Sequence, residues 1–324
     1  VYSFGKCIFM PADLTAGIEF NQDKLEDNMW GYHRTVDQKV NIGSAFFQNE
    51  WKNEHWGFLI GGRLDKHNLI DHVIFSPRAN LRYNPTENIN LRFSYSSGFR
   101  APQAFDEDLH VENVGGNVAM VELADNLKEE RSQSLSASAD IYHRFGAFQV
   151  NFLVEGFYTK LSDVFALTDG EVVDGILTRT RYNAPGARVM GLTLEGKMAY
   201  LTKFQVQAGV TLQQSHYSEP HVWNKEAPAV KKMMRTPNTY GYFTATYTPI
   251  KPLSIALSGT YTGSMLVPHE PVPGFLEKPI TVNTKDFFDI GLKAAYDFKL
   301  YKSMNLQVNA GVQNIFNAYQ NDFD

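Results

Sequence analysis

Three groups of side chains in this 324-residue sequence could do polar chemistry. Asp106, Glu107, Asp108 and His110 crowd into one short run, and carboxylates beside an imidazole are ordinary ligands for a metal ion or a cationic group. The same run also suits a solvated acidic loop balancing Arg100, which stands just upstream in Gly98-Phe99-Arg100-Ala101-Pro102. A third group, His216, Tyr217, His221 and Trp223 in the stretch SHYSEPHVW, has the character needed to hold an aromatic, partly polar ligand. Signatures of enzymatic chemistry are missing: there is no Walker loop, GxGxxG, HExxH or GxSxG. The sequence therefore points to binding without a resident metal or cofactor, and not to catalysis.

These residues need a scaffold, and composition narrows it. The net charge of −5 argues against a nucleic-acid partner. The only cysteine, Cys7, excludes an intrachain disulfide framework and a Cys-rich zinc site. Aromatic residues make up 13% of the chain, with 23 Phe and 16 Tyr. No apolar run approaches the ~18 residues of a membrane-spanning helix, but a transmembrane barrel escapes that test because half of each strand faces a polar lumen. No basic-then-apolar leader is present and the chain opens in a strand-like segment, so it reads as a fragment.

Period-two alternation recurs at 2–10, 13–21, 39–51, 56–66, 75–84, 88–98, 131–143, 147–168, 176–199, 203–214, 238–248, 252–263, 285–298 and 303–316, about fourteen strands. Most reach the ~9–11 residues needed to cross a bilayer at a tilt, longer than the ~5–6 of soluble sheets. Short turns alternate with longer polar segments at 22–38, 67–74, 99–130, 169–175, 215–237 and 264–284. That rhythm predicts an all-β, antiparallel up-and-down transmembrane β-barrel forming a single domain over 1–324. In the 252–263 segment Leu253, Ile255, Leu257 and Tyr261 oppose Ser254, Ser258, Thr260 and Thr262. No charge falls on such apolar faces, where a lipid-facing Arg or Lys would cost roughly 2–4 kcal/mol. In a membrane, Tyr217 and Trp223 also fit an interfacial aromatic girdle.

Several motifs then fall in a fixed order. Gly61-Gly62-Arg63-Leu64-Asp65 precedes Ser76-Pro77-Arg78 and Tyr83-Asn84-Pro85; Phe99-Arg100-Ala101-Pro102 precedes Asp125-Asn126-Leu127-Lys128-Glu129-Glu130. Tyr182-Asn183-Ala184 leads to Gly191-Leu192-Thr193-Leu194-Glu195, and Asn314-Ile315-Phe316-Asn317 with Tyr319 comes last. The ordered set resembles the barrel of the TonB-dependent outer-membrane receptors. It departs from the family pattern at Asp125-Asn126 and at Glu129, where the family commonly has proline.

The resemblance implies a barrel of about 22 strands, of which these would be the eighth to the twenty-first. It implies the outer membrane of a Gram-negative bacterium, contact with outer-membrane lipid, and energised opening by the TonB complex through a plug domain absent from these residues. The implied cargo is a metal chelate, first a ferric siderophore and next haem or cobalamin, met by external-loop residues including Arg100, Asp106, Asp108, His110, His216, Tyr217, His221 and Trp223. A passive porin-like channel, a soluble all-β ligand-binding module and a barrel hydrolase are the competing readings.

Overall fold

Alternating sequence builds strands whose backbone groups must find partners on both sides, and the computed structural model shows how they do so. It describes residues 1–32, 34–104, 112–114, 117–168, 170–173, 175–272 and 274–320. Strands β1 (Tyr2–Cys7), β2 (Met10–Met29), β3 (Arg34–Lys52), β4 (Trp56–His67), β5 (Val73–Thr86) and β6 (Ile89–Arg100) pair antiparallel in sequence. The chain then leaves this wall for β7 (Glu112–Val114) and β8 (Asn117–Leu123), and returns with β9 (Glu130–Phe145) against β6. After β10 (Phe148–Ser162) it departs again through β11 (Val164–Leu167), β12 (Glu171–Val173) and β13 (Ile176–Ala184). It rejoins as β14 (Ala187–Tyr200) beside β10.

The long β15 (Phe204–His221) carries the short β16 (Val230–Lys232) on its upper end. β17 (Thr239–Ile250) and β18 (Leu253–Thr262) extend the wall. β19 (Leu266–His269) and β20 (Ile280–Asn283) form a separate hairpin, and β21 (Phe287–Tyr301) with β22 (Met304–Val312) ends the series. Fourteen strands thus form one up-and-down wall, the number the alternation predicts, and β1 and β22 do not pair with each other.

Directly opposed residues share a face, so registers trace each face across the strands. Leu81, Phe93, Ala137, Gly156, Leu192 and Leu212 make one continuous row. One residue along, Arg92, Ser138, Glu155, Thr193, Thr211 and Tyr240 make another. The first face is apolar and leaves Leu91, Leu257 and Val308 exposed; Asn90, Ser258 and Asn309 lie on the second. Cross-strand networks neutralise the charges of the second face. Arg63 donates to Asp65 at 2.7 Å and to Glu19 at 2.9 Å, and Tyr242 donates to Glu195 at 2.6 Å while Lys197 pairs with the same carboxylate. Apolar side chains out and paired polar ones in is the arrangement of a lipid-embedded barrel, because an unpartnered charge in hydrocarbon is costly.

At the short-turn end the outward face is aromatic. Trp56 stacks on Tyr83 at 4.2 Å and on Phe58 at 5.7 Å, Phe148 meets Tyr200 at 4.6 Å, and Tyr296 meets Phe298 at 4.5 Å. From Phe148 to Tyr158 the outward face of β10 climbs ten residues, about 25 Å at ~3.3 Å per residue and a ~40° tilt, which matches the apolar band of a transmembrane barrel.

The opposite end departs from the sequence expectation in several segments. The segment 22–38 is no loop: β2 and β3 stay paired up to Met29 opposite Arg34. The 147–168 segment is not one strand, because Asp163 adopts φ 53° and turns β11 off the wall. The 176–199 segment breaks likewise at Gly186, whose φ of 103° suits glycine and where a Cβ would lie 2.4 Å from the Leu161 carbonyl oxygen. The 215–237 and 264–284 segments contain the end of β15, β16, and the β19/β20 hairpin.

Those departures assemble a small mouth sheet in the order β11, β13, β8, β7, with β12 also on β13. β13 and β8 run parallel, with Ile176 opposite Val118. Asn183 ties this sheet to the wall: its Oδ1 accepts from Lys128 N–H at 2.7 Å, and its Nδ2 donates to the carbonyls of Lys128 at 3.0 Å and Asp163 at 2.8 Å.

Two outcomes check this architecture. Leu257→Arg should lower the stability of the folded protein in lipid by roughly 2–4 kcal/mol, whereas Ser258→Arg on the inner face should change it little, measured by urea unfolding in bilayers. Asn183→Ala removes three hydrogen bonds and should cost about 1–3 kcal/mol locally. Hydrogen exchange should then accelerate across 176–184 and leave the pairing of β2 with β3 unchanged.

Candidate functional site

The rim where strands leave the lipid band collects the polar and aromatic side chains. Alternation along β6 puts Arg100 on the inner face, opposite Glu130 at the start of β9. Glu130 accepts from the Phe165 N–H at 2.9 Å, which pins β11 over the rim. The Arg100 guanidinium lies 5.6 Å from the Phe165 ring centroid and that of Arg181 lies 5.8 Å from it. The ring's negative faces hold both cations, the half-buried Arg100 and the buried Arg181. Arg179, one alternation step from Arg181, pairs with Glu270 at 3.0 Å, and Asn224 donates to the same carboxylate at 2.9 Å. That carboxylate joins the mouth sheet to the two segments that follow β15 and β18.

Glu129, the departure from the family's proline, is buried and does different work. It accepts from Arg131 at 2.6 Å and lies 3.1 Å from His72 Nε2. Burial opposes its ionisation, but Arg131, its own backbone N–H and His72 outweigh burial and hold the carboxyl below its usual range.

Beside β8 a cavity of about 530 Å³ is lined by Asp37, Lys39, Pro102, Ala104 and Glu122 among others. Gln38 closes one side by donating to the Ala104 carbonyl at 3.2 Å and accepting from the Ala104 N–H at 2.8 Å. Below it His67 is fully buried; its Nδ1 accepts from Leu69 N–H, which leaves Nε2–H to donate to Gln103 at 3.2 Å.

The residues singled out from sequence do not converge on one point. Asp106, Asp108 and His110 lie outside the described residues. Among the described residues no three His, Cys, Asp or Glu side chains are grouped to hold a metal ion. His216, Tyr217 and His221 sit on β15 and not in a loop. Residues 204–214 match the lipid band, so all three stand above it. Tyr217 packs with Val164, Ala184, Ala187 and Met233 in the core under the mouth sheet. His221 lies on the same side, its ring 4.8 Å from that of Tyr217, and burial pushes its imidazole below the usual range and the Tyr217 hydroxyl above. His216 is on the opposite, outward face in register with Arg188. Trp223 is only 8% exposed.

Phe165, Arg179, Arg181 and Glu270 were missed, and Asn183 was seen only as part of a motif. A signal for two of them was present: Thr178-Arg179-Thr180-Arg181 repeats a cation every second residue, which puts both on one face of a strand. The arrangement can bind an anionic, aromatic-bearing solute at the rim by charge and stacking. It offers no activated nucleophile.

Comparison with known proteins agrees with the fold. No curated protein matches the chain. The siderophore receptor PirA from Acinetobacter baumannii superimposes with a TM-score of 0.69 at 17% identity over 97% of this chain and 49% of its own. A variant of the ferric enterobactin receptor PfeA from Pseudomonas aeruginosa gives 0.68 at 19% identity, over 97% and 47%. The FrpB iron transporter from Neisseria meningitidis gives 0.68 at 17%, over 95% and 49%. The chain thus spans about half the length of these structures. At such identities they speak for the fold alone. The model of the TonB-dependent receptor-like β-barrel matches residues 3–315, nearly the whole chain, and the protein belongs to that family of receptors, which are not enzymes.

Proposed function

We propose that residues 1–324 are part of the barrel domain of an outer-membrane receptor for TonB-energised uptake of a metal chelate. A ferric siderophore is the preferred cargo, ahead of haem and cobalamin. One observation carries this reading: an apolar-out, polar-in wall ends at its open rim in the inner-face Arg100, which packs with the buried Arg181 on the Phe165 ring. Ferric chelates of catechol or hydroxycarboxylate type are anionic and polar at the surface, so cations and aromatic faces at a rim suit their capture. The names of the structural neighbours, a siderophore receptor, a ferric enterobactin receptor and an iron transporter, support the same cargo class.

Of the residues singled out from sequence, Arg100 is the proposed cargo contact within the wall, and Asp106, Asp108 and His110, which follow it in the sequence, are proposed contacts as well. His221, held neutral by burial, would contribute hydrogen bonds and stacking in place of charge. The energy for release would come from the TonB complex acting on a plug domain.

The deciding experiment is growth of an iron-starved host that expresses the full-length protein, with one ferric siderophore at a time as iron source. Uptake should appear for at least one chelate, should stop when the inner-membrane proton gradient is collapsed, and should track a protein found in the outer-membrane fraction. Entry of small sugars that survives collapse of the gradient, with no chelate uptake, would favour a passive channel instead. Arg100→Ala should weaken binding of the imported chelate about tenfold, roughly 1.4 kcal/mol, in a titration of the purified protein. An unchanged affinity would remove Arg100 from the contact set.

A further inference from the structure

The lipid-facing side of the wall is not uniform. A groove of about 850 Å³ opens on it, with Phe93 and Leu135 on one side and Tyr158, Leu192 and Leu212 on the other. Its floor is the pair Ala137 and Gly156, directly opposed across β9 and β10. A Cβ placed on Gly156 would meet nothing within 4 Å, so the dip is real space that a side chain could fill.

Two residues above this groove the chemistry of the outward face changes sign. The registers put Lys160 opposite Arg188, Arg188 opposite His216, and His216 opposite Lys232. Face parity is checked independently at both ends of that row. Tyr158 and Met190, one alternation step below Lys160 and Arg188, line the groove, while Met233, next to Lys232, packs inward on the mouth core. Four basic side chains therefore line up across β10, β14, β15 and β16, spanning about 14 Å at ~4.8 Å per strand.

Among the described residues, Lys160, Arg188 and Lys232 make no ion pair, and His216 Nδ1 is buried without a hydrogen-bond partner. Arg131, also on the outward face, is by contrast already neutralised by Glu129 at 2.6 Å. The row stands one alternation step above the top of the ~25 Å apolar band that begins at Phe148, at the level of the outer headgroups.

We propose that this face docks a phosphorylated, multiply acylated lipid of the outer leaflet, an acyl chain lying over Ala137 and Gly156 and a phosphate seated on Lys160, Arg188, His216 and Lys232. The inference rests on the outer-membrane placement proposed above, but not on the identity of the cargo. Charge complementarity selects the occupant: a zwitterionic phospholipid would fill the groove and leave three cations without counter-charge, whereas a lipid with exposed phosphomonoesters satisfies both parts of the surface.

The test uses the full-length protein in mild detergent, titrated with diphosphorylated lipid A and read by native mass spectrometry. Dephosphorylated lipid A and inorganic pyrophosphate are the comparison arms. Lipid A should be retained, and the combined K160Q, R188Q and K232Q variant should retain it at least tenfold more weakly. Gly156→Trp, which keeps every cation and fills the groove, should weaken it several-fold. Dephosphorylated lipid should bind at least tenfold more weakly than lipid A, and pyrophosphate at equal concentration should not displace the lipid. Equal retention by the wild type and the triple variant would overturn the proposal, as would equal binding of the dephosphorylated lipid. Full displacement by pyrophosphate would overturn it too, by reducing the row to an anion site with no acyl component. The two readings fail separately: a protein that reaches the outer membrane and imports chelate, yet shows any of those results, loses only the docking site. A protein missing from the outer membrane loses the placement beneath it.

Discussion

Every backbone N–H and C=O of a strand in hydrocarbon must be paired within the protein, since each orphan costs several kcal/mol and no water is there to replace the partner. That demand accounts for the uninterrupted registers of the wall: fourteen residue pairs join β10 to β14 without a slip. Where a register does shift, it does so next to a turn, between β1 and β2, β5 and β6, β17 and β18 or β21 and β22, or above the lipid band, between β15 and β16. Irregularity is thus confined to places that water or headgroups can reach. The outward face needs only to be apolar, so Phe, Leu, Val, Ala and Gly alternate there with little regard to shape. The inner face must neutralise its own charges, which it does across strands, as in Arg63 with Glu19 and Asp65.

Above the lipid band the constraint is lifted, and the structure changes character there. Strands β2 and β3 remain paired although Asp23, Lys24, Glu26 and Asp27 carry charge on both faces, because water now solvates either side. Elsewhere the chain abandons the wall altogether. Asp163 and Gly186, both at positive φ, turn β11 and β13 away from β10 and β14, and a parallel pairing with β8 becomes possible.

The same division decides what could be seen in the sequence. Within the band, period-two alternation has one physical cause, and fourteen strands could be read from it with their short-turn ends within about three residues. Above the band that cause is absent. The charged 22–38 run looks like a loop because its alternation is gone, yet hydrogen bonding carries on without it. The 147–168 and 176–199 runs look continuous because strand-forming residues lie on both sides of each hinge, and only the φ of one residue marks the break. The motifs were visible singly, but their meeting was not. Asn183 of one and Lys128 of another lie 55 residues apart, and nothing local in either segment says that the first holds the second.

Two kinds of stabilisation therefore act in one molecule and fail independently. The wall depends on a cooperative ladder that cannot lose a member inside the membrane. The mouth depends on discrete polar staples, such as Asn183 on Lys128, Glu130 on Phe165 and Glu270 on Arg179 and Asn224, each worth about a kcal/mol because water competes for the same groups. Opening one staple leaves the ladder intact, so the rim can rearrange around a solute at a cost small against that of unfolding the wall. Glu129 fits this division. A proline at that position would stiffen the re-entry into β9 by fixing φ, whereas the carboxylate achieves order through Arg131 and His72, contacts that can be broken and remade. The departure from the family pattern thus exchanges a covalent restraint for an electrostatic one at the hinge between wall and mouth, where movement would be needed for capture and release.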